Sequence, residues 1–127
     1  MKKTLAISII LLAIVIVLIT YAVVNEAKTP GERDEFAICI ADSGAKFYGA
    51  FWCPHCLDQK RGFGKSAKLL PYIECSPSNR QGQLQVCIDA EIESYPTWEF
   101  SDGERLFGNV PQDILAEKTS CELPIKE

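Results

Sequence analysis

"FYGAFWCPHCLDQK", residues 47–60, places Cys53 and Cys56 two residues apart behind an aromatic, apolar run. A run without charge reads as a strand buried on both faces, here assigned to residues 45–52. Pro54 suits the first turn of a helix, so the cysteine pair stands where strand passes into helix. Further along, "HCLDQKRGFGKSAKLL" keeps helical spacing, and Gly62 and Gly64 predict a break or kink within it. On the N-terminal side, "DEFAICIADSG" predicts a short amphipathic helix stopped at Gly44.

Beyond the pair, "PYIECS", residues 71–76, reads as a second strand and "PSNRQGQ" as a loop. Leu84, Cys87, Ile88 and Ile92 fall at helical spacing. "PTWEFSDGERLFG" predicts a hairpin around Asp102-Gly103, and "VPQDILAEKT" a closing helix. The resulting order is helix, strand, helix, strand, helix, hairpin, helix. It predicts a small α/β sandwich with one parallel strand pair and an antiparallel hairpin.

Upstream lies "TLAISIILLAIVIVLITYAVV", residues 4–24, with no charge. At about 1.5 Å per residue it reaches roughly 31 Å, enough to cross a bilayer's hydrocarbon core. A cleavable signal has a shorter apolar core and a small-x-small cleavage site, so an uncleaved anchor over residues 1–24 is the favoured reading. Lys2 and Lys3 before the span predict that the remainder lies on the extracytoplasmic side, in an oxidising compartment such as the periplasm. Residues 25–34 read as a linker, of which about eight residues before the helix reach at most roughly 26 Å at 3.3 Å each, and residues 35–127 as one domain.

Charge narrows the partners. With Lys2 and Lys3 set aside from the 13 basic residues, 11 remain against 17 acidic ones, a net charge of −6. Nucleic acid is thereby disfavoured.

Six cysteines then have to be assigned. Structural zinc wants two close pairs, whereas Cys75 and Cys87 are 12 apart on a strand and a later helix, so no metal is expected. Haem attachment needs His after the second cysteine, and residue 57 is Leu. As a staple, the Cys53–Cys56 loop is too small to restrict the unfolded chain much. Thiol chemistry fits better: a helix N-terminus favours the Cys53 thiolate, and Cys56 one turn on can resolve a mixed disulfide. Within the pair, His55 can stabilise the thiolate and make the couple more oxidising, or simply stand exposed.

"WCPHC" between strand and helix, with "YPTW" later, resembles the thioredoxin superfamily. More narrowly, "KFYGAFWCPHCLDQKRGFGKSAKLLPYIECS" and "IESYPTWEFSDGERLFG" resemble the thioredoxin-like domain fused to, or partnered with, bacterial and plant vitamin K epoxide reductase homologues. The similarity covers roughly residues 36–121. It implies a glutaredoxin-sized thioredoxin-like sandwich with a central mixed sheet, preceded here by one transmembrane helix. It implies Cys53 and Cys56 as the redox pair, with Trp52, Pro54 and His55 tuning it. It implies Pro96 as a cis-proline that sets the Tyr95 backbone beside Cys53 to hold substrate, and a second disulfide between Cys75 and Cys87. Cys39 and Cys121 have no counterpart in the fused domains. An even count favours pairing them, with two buried free thiols as the alternative.

The expected function is a membrane-anchored thiol-disulfide oxidoreductase that oxidises reduced exported proteins. It would need no bound cofactor and would be reoxidised by a separate, quinone-linked membrane protein like vitamin K epoxide reductase. Two other readings stay open: a tethered reductase or isomerase, and a non-catalytic assembly module whose cysteines are all structural. A potential near −270 mV would mark a reductant, and about −120 to −180 mV an oxidant or isomerase.

Overall fold

A computed structural model describes residues 2–28 and 30–124. The chain divides into two compact units, Met1–Pro30 and Gly31–Glu127.

The first unit is one helix, α1 (Lys2–Lys28). Within it Ala6–Glu26 is long and apolar enough to cross a membrane, and none of that stretch is buried in protein. The helix runs through Asn25–Lys28, which the sequence assigned to a linker. The reason is local: Glu26, Ala27 and Lys28 are good helix formers, and extending an existing helix adds one hydrogen bond per residue fixed.

In the second unit, α2 (Asp34–Asp42) carries Asp34 and Glu35 in its first turn, where carboxylates favour the helix dipole. Phe36, Ala37 and Ile40 form its buried face. The helix ends at Gly44, whose φ of +83° suits a residue without a Cβ. Its entry is also fixed. The Arg33 amide donates to Ser66 Oγ at 3.0 Å, and a Cβ on Gly31 would clash with that same oxygen.

Four strands build the sheet: β1 (Lys46–Gly49), β2 (Tyr72–Glu74), β3 (Thr97–Glu99) and β4 (Arg105–Phe107). Their order is β2-β1-β3-β4. Strand β1 pairs parallel with β2 and antiparallel with β3, and β3 pairs antiparallel with β4. The mixed sheet with its parallel pair and hairpin agrees with the sequence expectation. Strand β1 is shorter than the assigned 45–52. It stops at Gly49 because the Cys53 amide turns back to the Ala50 carbonyl at 3.0 Å, and Phe51 and Trp52 are left exposed.

Side chains alternate across the sheet and so feed two cores. On one face Phe47 stacks on Trp98 with ring centres 4.6 Å apart, inside a cluster with Phe36, Ile40, Phe63 and Leu115. This face carries α2, α3 (Pro54–Arg61) and α5 (Gln112–Thr119); a 3-10 turn, Gly64–Leu69, follows the break after α3. On the other face Tyr48 packs with Cys75, Cys87 and Ile92 beneath α4 (Gln85–Asp89). Helix α4 is shorter than its apolar spacing suggested, and Leu84 and Ile88 are exposed while Cys87 and Ile92 are buried.

Buried Gln59 holds α3 in place. Its side-chain amide donates to the Val110 carbonyl at 3.0 Å and accepts the Val110 amide at 2.7 Å, as a backbone neighbour would.

Two disulfides close the domain. Cys39–Cys121 joins α2 to the end of α5 across 82 residues, and Cys75–Cys87 joins β2 to α4 across 12. Loop-closure entropy gives about 4.5 kcal/mol for the longer bridge and about 3 kcal/mol for the shorter. The double substitution Cys39→Ser/Cys121→Ser is therefore expected to cost more stability in urea unfolding than Cys75→Ser/Cys87→Ser. The reverse order would show that packing around Cys75 and Cys87, not loop closure, dominates.

Candidate functional site

Strand β1 ends at Gly49, and the turn through Ala50 delivers Cys53 to the N-cap of α3 with extended backbone angles (φ −76°, ψ 121°). Pro54 occupies the first turn, where its missing N–H is no loss. The Cys53 carbonyl accepts the Leu57 amide at 3.1 Å and starts the helix. The Cys53 side chain thus lies at the positive end of the α3 dipole. Cys53 and Cys56 are the two cysteines outside the disulfides. Cys53 is 6% exposed and Cys56 not at all, so Cys53 is the outer sulfur.

The Tyr95–Pro96 bond is cis, and the Tyr95 carbonyl faces the pair: Cys53 Sγ donates to it at 3.7 Å. Trp52 Nε1 donates to Ser76 Oγ at 2.7 Å, and the Trp52 ring meets Tyr95 edge-on at 6.4 Å. Trp52, Cys53 and Tyr95 therefore adjoin one another, with Pro96 buried beneath them. His55 is exposed on the first turn of α3 and makes no hydrogen bond to Cys53.

Behind these residues lies a group of side chains that the sequence reading did not single out. Gly49 lets the Cys56 sulfur approach bare backbone, since a Cβ there would lie 2.8 Å from Cys56 Sγ and 2.8 Å from Tyr72 Cε2. Lys60, one turn after Cys56, holds its ammonium 3.1 Å from the centre of the Tyr72 ring. The Tyr72 hydroxyl donates to Glu74 Oε2 at 2.9 Å. The other oxygen, Glu74 Oε1, accepts the amides of Phe51 at 3.2 Å and Ser76 at 2.9 Å. Glu74 thereby ties the loop before Cys53 to the end of β2. One signal was available in the sequence: Glu74 is a lone charge in the apolar strand "YIEC", and such a charge implies a built set of partners.

Burial sets the proton affinities here. It pushes the Cys56 thiol up to about 12; neighbouring Cys53 adds to this, while the Ala50 backbone and the Lys60 charge pull the other way. Burial lowers Lys60, and the carboxylate of Glu74 and the sulfur of Cys56 oppose that shift. Burial, then the bond to Glu74, keeps Tyr72 a phenol well above its usual range. Cys56 is thus a thiol at neutral pH with a cation one helical turn away.

Among the described residues, no three His, Cys, Asp or Glu side chains converge as metal ligands. The two sulfurs at the head of α3 and the carbonyl before a cis-proline are the chemistry on offer, and they suit disulfide exchange.

No protein-family model matches the chain. Over 96 residues it is 49% identical to the thiol-disulfide oxidoreductase LTO1 of Arabidopsis thaliana, a match covering 69% of this chain and 25% of that protein. Over 86 residues it is 35% identical to the thioredoxin domain-containing protein 5 homolog of Drosophila melanogaster, covering 58% of this chain and 20% of that one. The four-stranded mixed sheet with its helices has a thioredoxin-like fold. The chain spans about a quarter and a fifth of the length of these relatives.

The burial of Cys56 gives a direct test. In a Cys53→Ser variant the remaining thiol is expected to show no thiolate absorbance below about pH 9, because desolvation, the largest cause of the raised value, persists. Thiolate absorbance at neutral pH would show that Lys60 or the Ala50 amide outweighs burial.

Proposed function

We propose that this chain is a thiol-disulfide oxidoreductase, held at a membrane by α1, that passes a Cys53–Cys56 disulfide to reduced exported proteins. Its reoxidant is a separate quinone-linked membrane protein resembling vitamin K epoxide reductase. The observation that carries the reading is the asymmetry of the pair: Cys53 lies at a helix N-terminus against the Tyr95 carbonyl, and Cys56 is sealed behind it. The name of the plant relative supports the activity. The length and apolarity of Ala6–Glu26 support the anchor.

In the forward reaction a substrate thiolate attacks Cys53 Sγ. A substrate–Cys53 disulfide forms, the Cys53–Cys56 bond breaks, and Cys56 leaves with the electron pair. Its sulfur then takes up a proton, as its high proton affinity dictates. A positive Lys60 one turn away offsets the charge on that sulfur while it forms. A second substrate thiolate attacks the substrate sulfur of the mixed disulfide and releases Cys53 as thiolate. Two electrons have moved from the substrate to the pair, and the same two pass to the membrane partner when the pair is reoxidised. The exposed rings of Phe51 and Trp52 and the Tyr95 backbone offer the approaching chain apolar contact and a hydrogen-bonding edge.

The Cys56→Ser variant, produced in its native host, removes the resolving sulfur and leaves Cys53 free to be trapped. Adducts that dissolve on reduction, and are absent from Cys53→Ser/Cys56→Ser, are expected; the membrane oxidase should be among them. Absence of any disulfide-linked species on Cys53 would remove the exchange reading.

A further inference from the structure

On the α4 face of the sheet, away from the cluster around Lys60, lies a cleft of about 570 Å³ that none of the chemistry above uses. Its walls are Ile88, Ile92, Phe107 and Gln83, and its rim carries Glu91 and Glu93. Ile88 is 49% exposed and Phe107 65%, so two large apolar side chains stand open to solvent beside two carboxylates.

The charge in this cleft is unbalanced. Arg105, the one cation among the described residues that line it, is already committed: it bonds Glu99 and donates to the Ala90 carbonyl at 2.8 Å and the Glu91 carbonyl at 3.4 Å. These contacts staple the turn after α4 to the sheet and fix the floor. The side-chain carboxylates of Glu91 and Glu93 form no ion pair among the described residues.

Two further features give the cleft a direction. Strand β4 is an edge of the sheet, so its outer backbone groups are open to an added strand. Gln83 connects the cleft to the sulfur site: its amide donates to the Tyr95 hydroxyl at 2.6 Å and the Ile92 carbonyl at 2.9 Å, and the carbonyl of the same Tyr95 receives Cys53.

We propose that this cleft is a substrate subsite that selects an extended polypeptide carrying a lysine or arginine next to apolar residues, a few positions from the cysteine engaged at Cys53. The apolar stem of such a side chain lies against Ile88, Ile92 and Phe107, and its charge meets Glu91 and Glu93. The subsite rests on the reading of Cys53 as the exchange sulfur.

The test uses the full chain in detergent and short fluorescent peptides of alternating leucine and lysine, or leucine and glutamate. Each peptide is made without cysteine for binding and with a cysteine pair for turnover. The cysteine-free lysine peptide is expected to bind roughly 3- to 10-fold more tightly than its glutamate counterpart, the scale of two solvent-facing charge contacts. Glu91→Gln/Glu93→Gln should abolish that preference and leave the rate with dithiothreitol unchanged. Asp113→Asn/Glu117→Gln on α5, which alters net charge equally, should keep it. Equal affinity for the two peptides, or a preference that survives in Glu91→Gln/Glu93→Gln, overturns the subsite. Selective binding of the lysine peptide without reduction of the Cys53–Cys56 disulfide by its cysteine-bearing form would retain the cleft and overturn the exchange reading instead.

Discussion

The sulfur of Cys56 rests against the bare backbone of Gly49, and the arrangement of the site follows from that contact. A side chain at position 49 would press on Cys56 Sγ and on the Tyr72 ring together, each at 2.8 Å. Without one, α3 settles close to the end of β1 and Cys56 loses all contact with water. Cys53, three residues earlier, then comes to the rim at the head of the helix. The two sulfurs differ in burial, and the roles proposed for them follow from that difference. A shift of α3 away from Gly49 would also move Cys53 away from the Tyr95 carbonyl.

A thiol so deeply desolvated resists ionisation, and the neighbouring Lys60 charge offsets only a small part of that. Lys60 lies over Tyr72, Tyr72 donates to Glu74, and Glu74 accepts the amides of Phe51 and Ser76. One carboxylate therefore joins the loop ahead of Cys53 to the electrostatics behind Cys56. The remaining four cysteines bear on stability: their bridges close loops across 82 and 12 residues in a domain whose strands are only three or four residues long. Gln59, bonded in both directions to Val110, keeps α3 in register with the chain that leads into α5.

Much of this was legible in the sequence where pattern and structure share a period. The mixed sheet followed from short apolar runs separated by helical spacing, and Asp102-Gly103 marked its hairpin. The break after Arg61 was visible in Gly62 and Gly64. The pattern misled where an apolar side chain is exposed. Phe51 and Trp52 extended the apparent strand past Gly49, although both face solvent, whereas Ile92, buried beyond the end of α4, lengthened the apparent helix. Composition alone does not separate a buried apolar residue from one on a contact surface. Glu74 stood out as a lone charge, but its grouping with Lys60 and Tyr72 was hidden for a different reason: a helix and a parallel strand bring together residues up to 14 apart in sequence. At Asn25–Lys28 polarity suggested a linker, while helix propensity continued α1.

The central claim is that Cys53 and Cys56 form one reversible couple in a domain whose other two disulfides are inert. Mass spectrometry of alkylated protein, equilibrated across a series of glutathione redox buffers, measures this directly. The account expects a single two-electron transition in which only Cys53 and Cys56 change state, with Cys39–Cys121 and Cys75–Cys87 intact throughout. Failure of Cys53 and Cys56 to oxidise, or reduction of all three bridges in one transition, would contradict it.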